Sequence, residues 1–335
     1  MSAIGRRVVL ASFGGPEVLS LEAMPALSPG PGELLIEVEV AGVNFGDTMI
    51  RRGEYLRDQP LSMGPGCEAV GRVIAAGPEV ETEPGTRVAA FVEAGGAYAD
   101  RVLAPAATTV AVPEDLPAAA IAAVFLQGTT AHWAIHRYGR TAAGETVLVH
   151  AAGGGVGGVA VQLAKLAGAR VIATASSEEK REAARRLGAD VALDASRPDE
   201  LAAAVREASA GRGADVVVDG VGGPLFTPSL EALALNGRYV IAGSASQSPA
   251  EFDARRLLVR GQYVCGFMLA RVVEVDPSEP GRTLLELCDL LRAGSLSPIV
   301  ETMPLELAAE AHRRLDERRV TGKIVLAAAG AKEGR

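Results

Sequence analysis

The chain has 335 residues, more than one small hydrophobic core usually holds, so its length favours two domains. It is acidic, with a formal net charge of −8 at pH 7, and it lacks the basic block that would indicate nucleic acid or an anionic membrane as a partner. No apolar run reaches the roughly 18 residues of a membrane span, and the N-terminus has no signal-peptide pattern. The three widely spaced cysteines indicate neither a disulfide framework nor a cysteine-based metal site. A reducing, cytoplasmic setting is expected.

The first third of the chain predicts short strands. Residues 32–43, GELLIEVEVAGV, alternate apolar residues on one face with glutamates on the other, which is typical of a half-buried antiparallel strand. Turn signals rich in Gly and Pro recur at 28–32, 64–66 and 83–85. Short strands between such turns indicate a barrel or a sandwich.

From about residue 129 strand and helix patterns alternate, which predicts a doubly wound parallel sheet. The predicted apolar strands of this region are 146–152, 170–175, 191–195, 214–223 and 238–244. Helices are predicted between them, one near 198–209 and another over 225–235. The segments that follow are a strand within 261–268, helices over 282–294 and 305–319, and a last strand at 322–328.

Residues 150–164 read HAAGGGVGGVAVQLA and follow the first of these strands. The dinucleotide fingerprint G-x-G-x-x-G fits this run in two registers, one ending at Gly158 and one, with Ala152 in the first slot, ending at Gly157. The third glycine lets the helix pack closely on the strand, so the helix face that contains it should carry small apolar residues. If the third glycine is Gly157, the residues on that face are small and apolar. If it is Gly158, they are more polar. The register is therefore Ala152, Gly154 and Gly157, and the run is predicted to cover a pyrophosphate.

The end of the next strand indicates which dinucleotide binds. NAD-binding sheets place an acid there to bond the ribose 2′-hydroxyl, whereas this strand ends at Ala175 and continues with Ser176 and Ser177. Lys180 and Arg181 lie one turn into the following helix. A missing acid, two hydroxyls and two cations favour a 2′-phosphate, so NADPH is the predicted cofactor.

With this motif in mid-chain behind a β-rich half, the sequence resembles the medium-chain dehydrogenase/reductase superfamily, and within it the zinc-free quinone oxidoreductase (zeta-crystallin-like) branch. The resemblance covers nearly the whole chain. Its markers are AGVNFGDTMIRRGEY (41–55), PGCEAVGRV (65–73), QGTTAHWAI (127–135), HAAGGGVG (150–157), DGVGG (219–223) and TGKIVL (321–326).

The resemblance implies an α/β fold in two domains. A GroES-like β-barrel catalytic domain is expected at 1–123 and 262–335, and a Rossmann domain with a doubly wound parallel sheet, which binds NADP(H), at 124–261. It also implies a homodimer formed by edge strands, which here lie within 261–268.

Zinc-dependent members of the superfamily carry a Cys where this chain has Asn44, a His where it has Cys67, and a third ligand near Leu126. One thiol cannot make the three-ligand catalytic site that zinc needs, so no metal is expected. Without a Lewis acid, the favoured hydride acceptors are those whose product anion is delocalised, namely quinones and α,β-unsaturated carbonyls.

The expected function is NADPH-dependent, zinc-independent reduction of a small quinone or enone. Two alternatives stay open. One is an enoyl-thioester reductase, acting on acyl-CoA or acyl carrier protein in a polyketide or fatty-acid pathway. The other is an NADPH-binding protein with a structural or regulatory role, because a fold does not fix a function.

The predicted catalytic residues are Asn44, Tyr55 and Asp47. The resemblance places Asn44 and Tyr55 near the nicotinamide, where Asn44 donates to the substrate oxygen or fixes the ribose. Asp47 is expected to orient its neighbours by pairing with Arg51, and water or Tyr55 to supply the proton. The predicted cofactor contacts are Thr130, Gly154, Gly155, Val156, Gly157, Ser176, Ser177, Lys180, Gly220, Val221, Gly243, Ser244, Phe267 and Lys323. The family often has a Tyr where this chain has Ala195, so the preference for NADPH is expected to be weaker than usual.

Overall fold

The structure is a computed structural model that describes residues 5–55 and 64–328. In chain order the strands are β1 (Arg6–Leu10), β2 (Leu19–Ala23), β3 (Glu33–Val43), β4 (Glu68–Ala76), β5 (Arg87–Phe91), β6 (Arg101–Pro105), β7 (Thr109–Ala111), β8 (Thr146–Val149), β9 (Arg170–Ala175), β10 (Val191–Asp194), β11 (Ala214–Asp219), β12 (Leu233–Ile241), β13 (Tyr263–Gly266), β14 (Val300–Pro304) and β15 (Lys323–Ala327). The α-helices are α1 (Phe45–Arg52), α2 (Ala118–Val124), α3 (Leu126–His132), α4 (Gly155–Leu166), α5 (Glu178–Arg186), α6 (Pro198–Ala208), α7 (Phe226–Ala232), α8 (Arg255–Arg260), α9 (Leu269–Val275), α10 (Glu279–Arg292) and α11 (Ala308–Asp316). A π-helix spans Trp133–Tyr138.

The described residues form two compact units, and the first is built from Met1–Leu126, Val273–Arg292 and Ile299–Arg335. Its main sheet has the order β14-β15-β3-β4-β5-β7, and β6 also pairs with β3. The long strand β3 is antiparallel to β4, β6 and β15, as its alternating sequence predicts. Because β15 comes from the far end of the chain, a strand near the C-terminus pairs directly with β3.

The second unit consists of Gln127–Val272 and Ala293–Pro298. Its sheet has the order β10-β9-β8-β11-β12-β13, and all its pairings are parallel. From β8 the chain first builds β9 and β10 on one side and then β11 to β13 on the other. The strand order therefore reverses between β8 and β11, and a ligand crevice is expected at the carboxyl ends of these strands.

The alternating strands and helices predicted for this unit are confirmed, although several ends differ, with the largest shift at the start of β12. The helix predicted over 225–235 ends at Ala232, and β12 begins at Leu233 rather than at 238. Leu233 is buried and pairs with Ala214, and the register then shifts. Asn236 has a positive φ of 60°, which inserts a bulge between the two paired parts of the strand.

The boundary between the units also differs from the expected one. The sequence predicts that the nucleotide domain ends at 261, whereas the second unit continues to Val272 and also includes Ala293–Pro298. The reason is β13, which pairs in parallel with β12 and forms the last strand of the six-stranded sheet.

None of the described helices is by itself long and apolar enough to cross a membrane. The consecutive helices Ala118–Val124 and Leu126–Tyr138 meet the criteria of length and composition only when they are taken together.

Candidate functional site

The glycine-rich turn lies between the end of β8 and the start of α4. Gly154 is the N-cap of α4, with an extended backbone (φ −94°, ψ 178°), and Gly155 opens the helix. The first N–H groups of a helix have no partner within it and carry the positive end of its dipole, so they suit an anionic ligand. Ala151, in the turn itself, has a left-handed φ of 50°. Such backbone strain is common where a turn is shaped for a ligand.

Packing at this turn distinguishes Gly157 from Gly158. A Cβ on Gly157 would lie 2.4 Å from the carbonyl oxygen of Ala151, which is backbone and cannot move aside cheaply. A Cβ on Gly158 would lie 3.0 Å from Cδ1 of Leu187, the flexible end of a side chain. The close approach of helix and strand therefore occurs at Gly157, and this part of the predicted register is confirmed.

The predicted 2′-phosphate corner follows the end of β9 at Ala175. Ser176 and Ser177 are exposed there, and the Ser177 hydroxyl caps α5 by accepting the Lys180 backbone N–H at 3.3 Å. The stem of Lys180 covers Gly153, since a Cβ on that glycine would lie 2.7 Å from Lys180 Cβ. Two hydroxyls and a lysine thus stand beside the glycine turn.

Arg181, the second cation of this region, has a different environment. Its guanidinium is 2.7 Å from a Glu178 oxygen and 3.4 Å from an Asp194 oxygen, and its side chain is only 15% exposed. Because two carboxylates already neutralise it, Arg181 is not expected to be the main contact of a phosphate.

The loops after β11 and β12 are fixed to each other at the same edge of the sheet. Buried Asp219 accepts hydrogen bonds from the Val221 N–H at 2.7 Å and from the Tyr239 hydroxyl at 2.6 Å. A Cβ on Gly243 would lie 3.1 Å from the Gly220 carbonyl oxygen, so the two loops approach closely. Four predicted cofactor contacts are thereby grouped: Gly220, Val221, Gly243 and Ser244.

Two further predicted contacts lie elsewhere in the second unit. Thr130 is half-buried in α3, just before the π-helix, a helix form often found at functional sites. The ring of Phe267 stacks on Tyr138, with 4.6 Å between centroids and 5° between planes. Their contact with a cofactor stays a prediction.

His150 is held by hydrogen bonds in the interior of the second unit. It is buried after β8, and its ring nitrogens lie 2.8 Å from the Thr174 hydroxyl and 2.7 Å from the Ser229 hydroxyl. Burial lowers the pKa of the imidazole, which favours its neutral form.

The first unit contains a buried polar cluster around Asn44, which we call the Asn44 cluster: Asn44, Cys67, Glu68 and Lys323. The Lys323 ammonium donates to Glu68 Oε1 and, at 2.7 Å, to Asn44 Oδ1. Asn44 Nδ2 donates to Glu68 Oε1 at 2.8 Å and lies 3.7 Å from Cys67 Sγ. The Lys323 and Glu68 side chains are 1% and 0% exposed, so the cluster contains an ion pair that is buried away from water.

Asp47 supports the backbone of this cluster rather than pairing with Arg51. Its Oδ2 accepts the Asn44 backbone N–H at 2.8 Å and the Tyr98 hydroxyl at 2.9 Å. Complete burial raises the pKa of the Asp47 carboxyl to about 6, although both donors act against this shift. The predicted pairing with Arg51 is wrong, because Arg51 binds Asp316 at 2.6 Å.

Tyr55, the other predicted donor, lies beside the start of α1. A Cβ on Gly46 would lie 3.4 Å from Tyr55 Cε2, so the ring packs over a glycine two residues after Asn44. The fold thus brings Tyr55 and Asn44 to the same end of the helix.

The Asn44 cluster does not fit a catalytic zinc ion. At the three positions where the family resemblance implies zinc ligands in zinc-dependent relatives, this chain has the amide of Asn44, the thiol of Cys67 and, near the third position, Leu126. Burial raises the pKa of the Cys67 thiol, which disfavours the thiolate that binds metal. The ammonium of Lys323 also places a positive charge beside Asn44. Among residues 5–55 and 64–328, no group of three or more His, Cys, Asp or Glu is arranged to hold a metal.

Sequence reasoning missed Glu68. It follows a turn in PGCEAVG and looks like the exposed start of a strand. A usable signal was Gly42, because a glycine inside a strand often marks a close approach. A Cβ on Gly42 would lie 2.2 Å from Glu68 Oε1, so this glycine makes room for the carboxylate.

Comparisons with known proteins agree with this architecture. Residues 30–114 match the family model described as alcohol dehydrogenase GroES-like domain, and residues 155–287 match the one described as zinc-binding dehydrogenase. A quinone oxidoreductase of Pseudomonas aeruginosa is 35% identical, with 96% of this chain and 99% of that protein covered. A 2-haloacrylate reductase of a Burkholderia species is 34% identical, with 95% and 97% covered. The structure of Escherichia coli quinone oxidoreductase complexed with NADPH has a TM-score of 0.89 at 30% identity, with 96% and 99% covered.

A GroES-like unit joined to a Rossmann unit defines an oxidoreductase of the two-domain dehydrogenase class. Within that class, the chain belongs to the quinone oxidoreductase branch of the medium-chain dehydrogenase/reductase superfamily.

The packing at the glycine turn predicts a difference between two alanine variants. Gly157→Ala should lower the free energy of unfolding by about 1–3 kcal/mol, because the new methyl group meets backbone. Gly158→Ala should be close to neutral, because Leu187 can move and alanine favours the helix. Thermal unfolding of both variants measures the difference, and equal destabilisation would contradict the assigned register.

Proposed function

We propose that the protein is an NADPH-dependent reductase that transfers hydride to a quinone or an α,β-unsaturated carbonyl without zinc. The observation that carries the proposal is the strand, glycine turn and helix at 146–166 with Lys180 beside the turn. The E. coli relative complexed with NADPH supports the choice of cofactor. The names of the two sequence relatives support the choice of acceptor class.

The residues of the second unit suit an NADP-type dinucleotide. The N-terminus of α4 offers the backbone N–H groups of Gly155, Val156 and Gly157 to the pyrophosphate. Ser176 and Lys180 supply a hydroxyl and a cation for a 2′-phosphate. No side chain projects from the glycines of the turn, so the backbone can approach the phosphates.

The first unit offers hydrogen-bond donors instead of a Lewis acid. Bound NADPH supplies a hydride from its nicotinamide ring. Acceptance of a hydride by a quinone or enone leaves a phenolate or an enolate, whose delocalised charge hydrogen-bond donors are sufficient to stabilise. Asn44 and Tyr55 are the proposed donors, and Tyr55 or water is proposed to deliver the proton that completes the reduction.

A panel of acceptors tests the reaction. With NADPH, the protein should reduce a quinone and an alkenal, because both products are stabilised without metal, and it should reduce a crotonyl thioester more slowly. Loss of NADPH absorbance measures each rate. Turnover of the thioester alone would favour an enoyl-thioester reductase, and binding of NADPH without any turnover would indicate a structural or regulatory protein.

Variants of two neighbouring cations test the proposed 2′-phosphate contact. Lys180→Ala should raise KM for NADPH about 10-fold, since it removes one charge-assisted hydrogen bond, and should leave KM for NADH nearly unchanged. Arg181→Ala should have a smaller effect, because Glu178 and Asp194 already pair with that side chain. Equal effects of Lys180→Ala on the two cofactors would show that the lysine does not contact the phosphate.

We also propose that two copies of the chain associate through β13. This strand is at the end of the six-stranded sheet, and its outer edge, which pairs with no strand among residues 5–55 and 64–328, can accept another strand. Apolar side chains are exposed on and just before it, with exposed fractions of 58% at Tyr263, 84% at Leu258 and 81% at Val259. A second copy that pairs edge to edge would cover both the strand and these side chains.

A pair of matched substitutions tests the dimer. Leu258→Glu should weaken association, because it places a charge in the proposed interface, and sedimentation should show a shift toward monomer. Val275→Glu is the control, since Val275 is equally exposed at 85% but belongs to the first unit. The same mass for Leu258→Glu and the unmodified protein at low concentration would contradict an interface at this edge.

A further inference from the structure

The Glu68–Lys323 ion pair is not explained by stability alone. Both side chains are almost completely buried, and removing two charges from water costs several kcal/mol per ion, so such pairs are seldom more stabilising than apolar residues. The strand β3 also carries a glycine at position 42, which makes room for the carboxylate and weakens the strand. An arrangement with these costs points to a functional role.

The ion pair holds the side-chain amide of Asn44 in one orientation. The Asn44 carbonyl oxygen accepts from Lys323 at 2.7 Å, and its Nδ2 donates to Glu68 at 2.8 Å. The carboxylate is fixed in turn, because its other oxygen accepts the Leu126 backbone N–H at 3.0 Å. With opposite charges on its two ends, the amide cannot flip without opposing both.

This orientation leaves one N–H of Asn44 directed toward the sulfur of Cys67, at an N to S distance of 3.7 Å. Sulfur is a weak acceptor, so this N–H can exchange it for a stronger one, such as a substrate oxygen. Asn44 and Cys67 are the half-buried members of the cluster, whereas Glu68 and Lys323 are buried. The exchangeable N–H is therefore on the more accessible side of the cluster.

We infer that Glu68 and Lys323 are positioning residues, which fix the Asn44 amide so that one N–H faces the hydride acceptor. The inference rests on the proposed reductase function and assigns Lys323 a role other than the predicted cofactor contact. Neither residue touches the reacting atoms; both act through Asn44. A positively charged side chain thus lies beside Asn44, one of the positions at which the family resemblance places a ligand in zinc-dependent relatives.

Kinetics of three variants test this role. Lys323→Met should lower kcat roughly 10- to 100-fold and change KM for NADPH little, because a misplaced donor affects the transition state rather than cofactor binding. Lys323→Arg should restore part of kcat. Lys165→Met is the matched control: it removes a lysine from an ion pair with Asp190 in the second unit and should leave kcat unchanged. A kcat of Lys323→Met within about twofold of the unmodified protein would overturn the inference.

The orientation of the amide can also be observed directly. The sequence contains two asparagines, Asn44 and Asn236, so protein labelled with ¹⁵N-asparagine gives two pairs of side-chain amide signals. Asn236→Gly assigns them, and glycine suits the positive φ at that position. Lys323→Met should shift the Asn44 pair and speed its hydrogen exchange, whereas Lys165→Met should change neither.

The double variant Glu68→Gln with Lys323→Met separates a loss of kcat from a loss of stability, because it removes both charges and leaves no unpaired buried charge. It should unfold at a temperature close to that of the unmodified protein and still lose kcat. Unchanged Asn44 signals in a folded Lys323 variant would overturn the inference. If the unmodified protein reduces no acceptor, the proposed function fails, and the amide signals alone then decide whether the pair orients Asn44.

Discussion

The buried pairing of Glu68 with Lys323 is the interaction on which the geometry of the Asn44 cluster depends. It joins β4 to β15, strands that are far apart in the chain and lie on either side of β3. The pairing of Ala41 with Ala69 brings Gly42 opposite Glu68, and the missing side chain there admits the carboxylate. A larger residue at position 42 would expel the carboxylate and leave the ammonium buried without its partner, which is far more costly than the pair itself.

In the second unit, Gly157 likewise allows a close approach to the backbone. There the helix α4 approaches the backbone of the turn so closely that no Cβ fits. In both units a glycine marks the place where another group must come within contact distance of the backbone. The difference is in what approaches: a charged side chain in the first unit, and in the second the helix whose N-terminus faces a ligand crevice.

Much of the fold was predictable because it rests on local patterns. The period of two in β3 and the alternation from β8 to β12 follow from which residues are apolar, and the helix face identified Gly157. The Asn44 cluster was not predictable in this way, because Glu68 and Lys323 are brought together only by the pairing of β3 with both β4 and β15. Spacing along a helix suggested that Asp47 pairs with Arg51. That prediction was wrong because Arg51 pairs with Asp316, which is distant in sequence but adjacent in the fold.

A lysine and a metal ion differ in what they permit. A zinc ion with an open position binds the substrate oxygen directly and stabilises a localised alkoxide. Lys323 is committed to Glu68 and Asn44, so its charge reaches a substrate only through the polarised amide. A donor of that kind suits an anion whose charge is already spread over a ring or an enolate. The proposed role of the cluster therefore predicts a preference for quinones and enones over simple ketones.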